Sequence, residues 1–331
     1  MNKKKLPHLV TSVTPHRISF AGGATDLPKF YKKFGGSFLN SSIDKFVYVT
    51  VKRHSYFNTK FRIMYSRTEN KNSIGSIKND IVRNCLKYLK FKSPILIFTS
   101  SDIPTSSGLG SSSAFTVGLL NALNFMNGKK VSKRKLAEDA CKIEIELMKK
   151  NCGIQDQYAA AIGGINKYTV NKNGKVNIFK LKQNKNIKEI FDNLILVETK
   201  KYRSANKISK SYKFEKKVLV SLKKNVPLFE KIISEKKLNL REIGIFLNKG
   251  WSDKKKLSNK VSHSRFDKIY NDFIKFGAYG GKLVGAGGGG FFLFVMPKIK
   301  QKKIYPTYKK HNIIKIKYQD QGSKILNKLY V

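Results

Sequence analysis

The stretch with the clearest chemical promise is PTSSGLGSSSAF, residues 104–115, which packs two glycines and five serines into twelve positions. It follows the apolar run ILIFTS and leads into a segment rich in Ala, Leu and Phe, so it reads as the hinge of a strand, a glycine turn and a helix. A turn of that kind exposes several backbone N–H groups at the positive end of a helix dipole, and phosphate is its natural guest. The hydroxyls of Ser111, Ser112 and Ser113 stand where they could meet phosphate oxygens and a metal ion. The alternative is a flexible surface turn with capping serines. The pattern GxxxxGK[ST] is absent and no GxGxxG follows the strand, so neither a P-loop NTPase nor a dinucleotide fold is indicated.

Glu144 is a second signal. A helix is expected over 132–149, capped by Ser132, with Leu136, Ala140, Ile143 and Leu147 as its buried stripe. Glu144 lies one turn from Ala140 and Met148, toward the apolar side, whereas Glu138, Asp139 and Glu146 are expected to be solvated. A carboxylate turned inward needs a partner, either a metal ion or a buried structural cation. His8, His16, His54, His263 and His311 show no ligand spacing. Cys85, Cys141 and Cys152 form no CxxC pair and no disulfide framework, which fits a reducing, cytoplasmic setting.

The elements that must carry these residues are legible in outline. Alternation over Phe46–Val51 predicts a strand, FRIMYS another, and SPILIFTS a buried one. Residues 79–91 have the spacing of an amphipathic helix, and SSSAFTVGLLNALNFMNG that of a helix closed by Gly128. NCGIQDQYAAAIGG reads as a short helix between glycines, followed by strands in INKYTV, KVNIFKL and NLILVET. From about 204 to 260 the chain is helical and very basic. A last helix, FDKIYNDFIKFGAYG, runs into GKLVGAGGGGFFLFVMP. The lysine-dense 180–191 is the weakest part of the globular pattern, which places a domain boundary there and gives units 1–185 and 186–331.

With 331 residues, 40% hydrophobic and 11% aromatic, the chain can bury a large core. No apolar core of a signal peptide and no run long enough to span a membrane is present. The net charge of +46 invites a nucleic-acid reading. However, the lysines are scattered and accompanied by Asn, Ile, Phe and Tyr, a mix that AT-rich coding produces without selection for binding. No RNP-like aromatic motif, zinc spacing or localised basic helix supports that reading, and no nucleic-acid or membrane partner is expected.

DIPTSSGLGSSSAF resembles the second motif of the GHMP sugar and metabolite kinases, PxxxGLGSSAA. PHRISFAGGATD, 15–26, is similar to their first motif and KLVGAGGGGFFLFV, 282–295, to their third, so the resemblance spans nearly the whole chain. RISFAGGATDLPKFY, GIQDQYAAAIGG and GAGGGGFF most resemble the D-glycero-D-manno-heptose 7-phosphate kinases. Galactokinases and mevalonate kinases carry a GEH-type first motif, where this chain has Gly22, Gly23, Ala24, Thr25 and Asp26.

The resemblance implies an α+β fold, with an N-terminal ribosomal-protein-S5-like domain and a C-terminal ferredoxin-like one. It also implies ATP and Mg²⁺ as cofactors and the anomeric hydroxyl of D-glycero-D-manno-heptose 7-phosphate as acceptor, giving the 1,7-bisphosphate. A fucose or mannose 1-kinase is the neighbouring alternative, and a homodimer is left open. By the same resemblance, ATP lies on the turn of Pro104, Ser106, Ser107, Gly108, Leu109, Gly110, Ser111 and Ser112, with Ser112 and Glu144 on the metal. Asp156 is the catalytic carboxylate and Arg17 the basic partner of the transferring phosphate. Gly22, Gly23, Thr25, Asp26, Gly287 and Gly288 belong to the substrate site. Arg203 in ETKKYRSAN matches a family position TGxxRxA with Lys200 in place of glycine; it is a phosphate fork or a structural ion pair. Trp251 and Lys254 also match the heptose kinase pattern, with packing and solvation as their expected roles.

Overall fold

The computed structural model describes residues 6–54, 58–307 and 312–330. The first half runs β1 (Leu9–Ala21), α1 (Pro28–Phe34), β2 (Gly36–Arg53), β3 (Phe61–Met64), β4 (Thr68–Lys71), α2 (Asp80–Tyr88), β5 (Ile95–Ser101), α3 (Ser111–Met126), α4 (Lys133–Cys141), α5 (Gln155–Ile162), β6 (Ile165–Val170) and β7 (Val176–Lys180). The second half runs α6 (Lys185–Asp192), β8 (Leu194–Glu198), α7 (Ala205–Lys210), α8 (Lys216–Ser234), α9 (Leu240–Lys255), α10 (Ser264–Lys275), β9 (Gly280–Leu283), β10 (Phe291–Val295), α11 (Lys298–Thr307), β11 (Ile313–Lys315) and β12 (Lys324–Leu329). This is the expected α+β mixture.

β1 and β2 form the long antiparallel centre of an eight-stranded sheet. β2 is long enough to serve two partners: Val47–Arg53 pairs with β5, and Gly36–Ser41 with β6. β12 returns from the far end of the chain to the outer edge of β1. The smaller sheet has the order β11-β8-β10-β9.

Alternation decides what each face buries. Phe291, Leu293 and Val295 of β10 turn toward the core shared with β1 and β2, while Phe292 and Phe294 turn toward α10 and Trp251. Each fully buried side chain of that size contributes about 1.5–3 kcal/mol. The shared core also holds Ile18 and Phe20 of β1, Phe229 of α8 and Phe246 of α9, so one apolar layer fixes the two sheets against each other. Helix α3 is apolar on every side and lies across β1 and β2. Gly118 permits the close crossing: a Cβ there would stand 2.8 Å from Thr14 Oγ1.

The helix expected over 132–149 is broken. Regular turns end at Cys141, and Lys142–Leu147 continues as a π-helical turn. The wider turn rotates all that follows, so Leu147 points outward with 47% of its surface exposed instead of completing the stripe. Asp139 is also not solvated: it is buried, accepts from Tyr88 Oη at 2.6 Å and pairs with Lys135 at 2.6 Å.

Candidate active site

The glycine turn sits between β5 and α3 as expected, and Gly110 occupies the N-cap of α3 with φ of 81°. Glycine offers no side chain to cap the helix, so the first backbone N–H groups of α3 keep no internal acceptor and face outward. Gly108 also has positive φ, 80°, and its carbonyl accepts from Arg17 Nη1 at 2.7 Å. The backbone N–H of Arg17 donates to the carbonyl of Leu109 at 3.1 Å, which ties the turn to β1.

The third motif holds the turn from the other side. A Cβ on Gly285 would lie 2.5 Å from Gly108 Cα, and one on Gly290 would lie 2.1 Å from the Ser107 carbonyl oxygen. Both positions also have positive φ. The two glycine segments therefore touch backbone to backbone, a contact only glycine allows.

Beneath the turn a hollow of about 350 Å³ gathers residues from six separate stretches of the chain. Arg17 on β1 is 3% exposed and binds Asp156 at the start of α5 through Nε at 2.7 Å and Nη2 at 2.6 Å. Both nitrogens meet Oδ1, so Arg17 leaves Oδ2 unengaged, and Asp156 lines the hollow. Asp26 is buried beside them and accepts the Gln155 backbone N–H at 3.1 Å. Burial, and then the charge of Asp156, push its carboxyl up to about 6. Gly153 clears the space, because a Cβ there would overlap Asp26 Oδ2 at 1.8 Å.

Glu144 projects from the π turn into the same hollow with 1% of its surface exposed. Its Oε1 accepts from Ser112 Oγ at 2.7 Å and Lys150 Nζ at 2.8 Å, and its Oε2 from Ser113 Oγ at 2.6 Å and Gln157 Nε2 at 2.8 Å. Burial alone would raise its pKa; the Lys150 ammonium and the two hydroxyls outweigh that and hold it below the usual carboxylate range. Lys150 also reaches Ser112 Oγ at 2.9 Å. The Ser112 and Glu144 oxygens thus already attract one cation between them. They are hard donors of the type Mg²⁺ takes when phosphate oxygens and water complete its shell. Among the described residues no cluster of three His, Cys, Asp or Glu could hold a metal ion.

The expected residues divide clearly. Arg17, Gly22, Gly23, Asp26, Ser106, Ser107, Gly108, Gly110, Ser111, Ser112, Glu144 and Asp156 line the hollow. Pro104 is exposed and does not line it, and Leu109 is buried in the shared core. Thr25 is also off the wall, its hydroxyl spent on the carbonyls of Gly22 and Ser37 at 2.7 and 2.6 Å. Gly287 and Gly288 pack against Val261 and Ile208, leaving Lys282, Gly285 and Ala286 as the part of the third motif that reaches the hollow. Arg203 is exposed and outside it.

Three lysines of the hollow carried no expectation of a site role. Lys150 is one of a Lys pair before Asn151, and nothing in that local run distinguishes it. Lys282 is buried and donates to the Phe20 carbonyl at 3.1 Å; burial drives its pKa well down. Lys254 faces the hollow and bonds the Gly285 carbonyl, and burial followed by the charge of Arg17 lowers it to about 8. Its match to the heptose kinase pattern was the available signal.

Residues 79–164 match the GHMP kinases N terminal domain and residues 228–313 the GHMP kinases C terminal domain. The chain belongs to the GHMP kinase family and is a phosphotransferase of its sugar-kinase group. It is 32% identical to D-glycero-alpha-D-manno-heptose 7-phosphate kinase of Campylobacter jejuni subsp. jejuni, over 95% of this chain and 94% of that protein. It is 28% identical to mevalonate kinase of Methanocaldococcus jannaschii, over 74% and 76% of the two chains. The crystal structure of a D-glycero-D-manno-heptose 1-phosphate kinase from Bacteroides thetaiotaomicron shares the fold, with a TM-score of 0.79 and 21% identity over 97% of this chain and 100% of that one. Among the described residues no helix is long and apolar enough to cross a membrane.

Proposed function

We propose that the protein transfers the γ-phosphoryl group of ATP to the anomeric hydroxyl of D-glycero-D-manno-heptose 7-phosphate, giving the 1,7-bisphosphate and ADP. The observation that carries the chemistry is the Arg17–Asp156 pair set directly under the glycine turn, with Asp26 beside it. The choice of sugar is supported by the full-length similarity to a heptose 7-phosphate kinase and by the first motif, where Gly23 and Ala24 replace the Glu-His of galactokinases.

In this reading the amides of residues 107–112 hold the nucleotide's phosphates, and Asp26 accepts from hydroxyls of the sugar. Asp156 Oδ2 receives the proton of the attacking hydroxyl as its oxygen bonds to the γ-phosphorus and the bond to the bridging β,γ-oxygen breaks. Arg17 keeps Asp156 oriented and offsets charge on the phosphoryl group in flight. Ser112 and Glu144 would hold Mg²⁺, which would neutralise phosphate charge in place of the Lys150 ammonium that they bind here.

A panel assay of ATP consumption with heptose 7-phosphate, fucose, mannose and galactose tests the reading. Turnover with heptose 7-phosphate, at a kcat/KM at least about a hundredfold above the free hexoses, is expected, with ³¹P NMR placing the new phosphate on C1. Turnover of a free hexose alone would overturn the substrate.

A further inference from the structure

A second hollow, of about 450 Å³, adjoins the first. The two share Ala24, Leu27, Lys150, Asn151, Ser209 and Tyr212 as a common wall. None of residues 104–113 lines the second hollow, nor do Arg17 and Asp156, so it does not extend the glycine turn. The shared wall carries Ala24 and Leu27, which flank Asp26 in the first motif, and Ser209 of α7.

Its lining is unusually cationic even for this chain. Five of its fourteen lining residues are lysines, Lys29, Lys149, Lys150, Lys210 and Lys213, whereas Lys and Arg together account for 67 of all 331 residues. No carboxylate lines it, and among the described residues only Lys150 of the five forms an ion pair, with Glu144. Phe30, Ile145 and Leu219 give it apolar walls, which lower the local dielectric and strengthen any charge that binds there. Ala24 puts a small side chain on the shared wall where a GEH-type motif would place a histidine.

We infer that the second hollow binds the distal phosphate monoester of the acceptor, held by Lys149, Lys210 and Lys213 with Lys29 at the rim. A doubly charged phosphate takes several ammonium donors at once, and none of these lysines must first give up a carboxylate. Arg203, the residue whose type suits phosphate best, lines neither hollow. The inference rests on the acceptor being a sugar phosphate, and it locates the second phosphate.

Calorimetric titration of the full chain with heptose 7-phosphate and with unphosphorylated heptose, in the absence of nucleotide, tests it. Wild type is expected to bind the phosphorylated sugar at least tenfold more tightly. Lys210→Met/Lys213→Met should lose about tenfold of that affinity and leave binding of the unphosphorylated sugar unchanged, with Lys210→Arg/Lys213→Arg restoring it. Lys149→Met should lose a smaller share in the same direction. Equal affinity for the two sugars in wild type, no affinity for the phosphorylated one, or an unaltered Kd in the double variant would each overturn the inference. Lysine-dependent binding without ATP turnover would leave it standing and sink the kinase reading. Turnover with a wild-type KM in the double variant would do the reverse.

Discussion

The two glycine-rich turns of this protein use the same residue for opposite purposes. At 106–112 Gly108 and Gly110 take a left-handed backbone and line the hollow together with the serines on either side of them. At 285–290 nearly every missing Cβ corresponds to backbone or core atoms already in its place, and only Gly285 and Ala286 touch the hollow. The first turn lines the hollow; the second braces the first turn. Substitutions on the open side of the first, at its serines and Gly110, should therefore cost turnover more than stability, whereas substitutions in the second, and at Gly108, where a Cβ would lie 2.7 Å from the Val284 carbonyl oxygen, should cost stability.

The largest effect is expected at Asp156. Asp156→Asn removes the proton acceptor and leaves the shape, so kcat should fall about a thousandfold with the melting temperature nearly unchanged; a kcat within tenfold of wild type would break the distinction. Glu144→Gln keeps an acceptor for the serine hydroxyls and removes the charge. Activity should fall about a hundredfold, in line with losing one electrostatic partner of the transferring phosphate, and calorimetry should show weaker Mg²⁺-dependent binding of a non-hydrolysable nucleotide.

At the second turn, Gly290→Ala places a Cβ 2.1 Å from the Ser107 carbonyl oxygen at a φ of 93°. A loss of about 2–4 kcal/mol in denaturant unfolding is expected. Gly110→Ala meets Arg17 at an ordinary 3.4 Å and should cost only the left-handed strain, about 1–2 kcal/mol. If the two variants lost equal stability, the contrast between the turns would fail.

The smallest effect is in pH dependence. Asp26, at about 6, becomes an acceptor-only carboxylate as pH rises through that value, so kcat/KM should climb there. Lys254, at about 8, loses its charge above it, so kcat/KM should fall on the alkaline side. A bell with limbs near those values is expected, and Lys254→Met should remove the alkaline limb. A profile flat from pH 5 to 9 would contradict both assignments.

Much of this was legible before any coordinates. Strand alternation, the amphipathic spacing of α2 and the strand, turn, helix order around Gly108 and Gly110 are local signals, and local signals survive folding. Glu144 was visible as an acidic residue on an apolar stripe, because helix periodicity held as far as Ile143. The π turn that follows was not visible: Glu144 on it meets Ser112, Ser113 and Gln157, partners on other elements that a local pattern does not encode. For the same reason Asp139 was misplaced, since its partner Tyr88 sits on another helix.

Lysines were the least legible. In a chain so rich in them, residue type says little, and only the walls of a cavity separate Lys150, Lys254 and Lys282 from the solvated majority. Arg203 shows the converse: a residue type apt for phosphate, carried by a strand-to-helix segment that leaves it outside both hollows.

The most direct test is a crystal structure with Mg²⁺ and a non-hydrolysable ATP analogue. The account predicts the β- and γ-phosphates within hydrogen-bond distance of the backbone N–H groups of 108–112, the ion on Ser112 Oγ and Glu144, and the γ-phosphorus facing Asp156. A triphosphate bound elsewhere, with the turn and Glu144 left untouched, would contradict it.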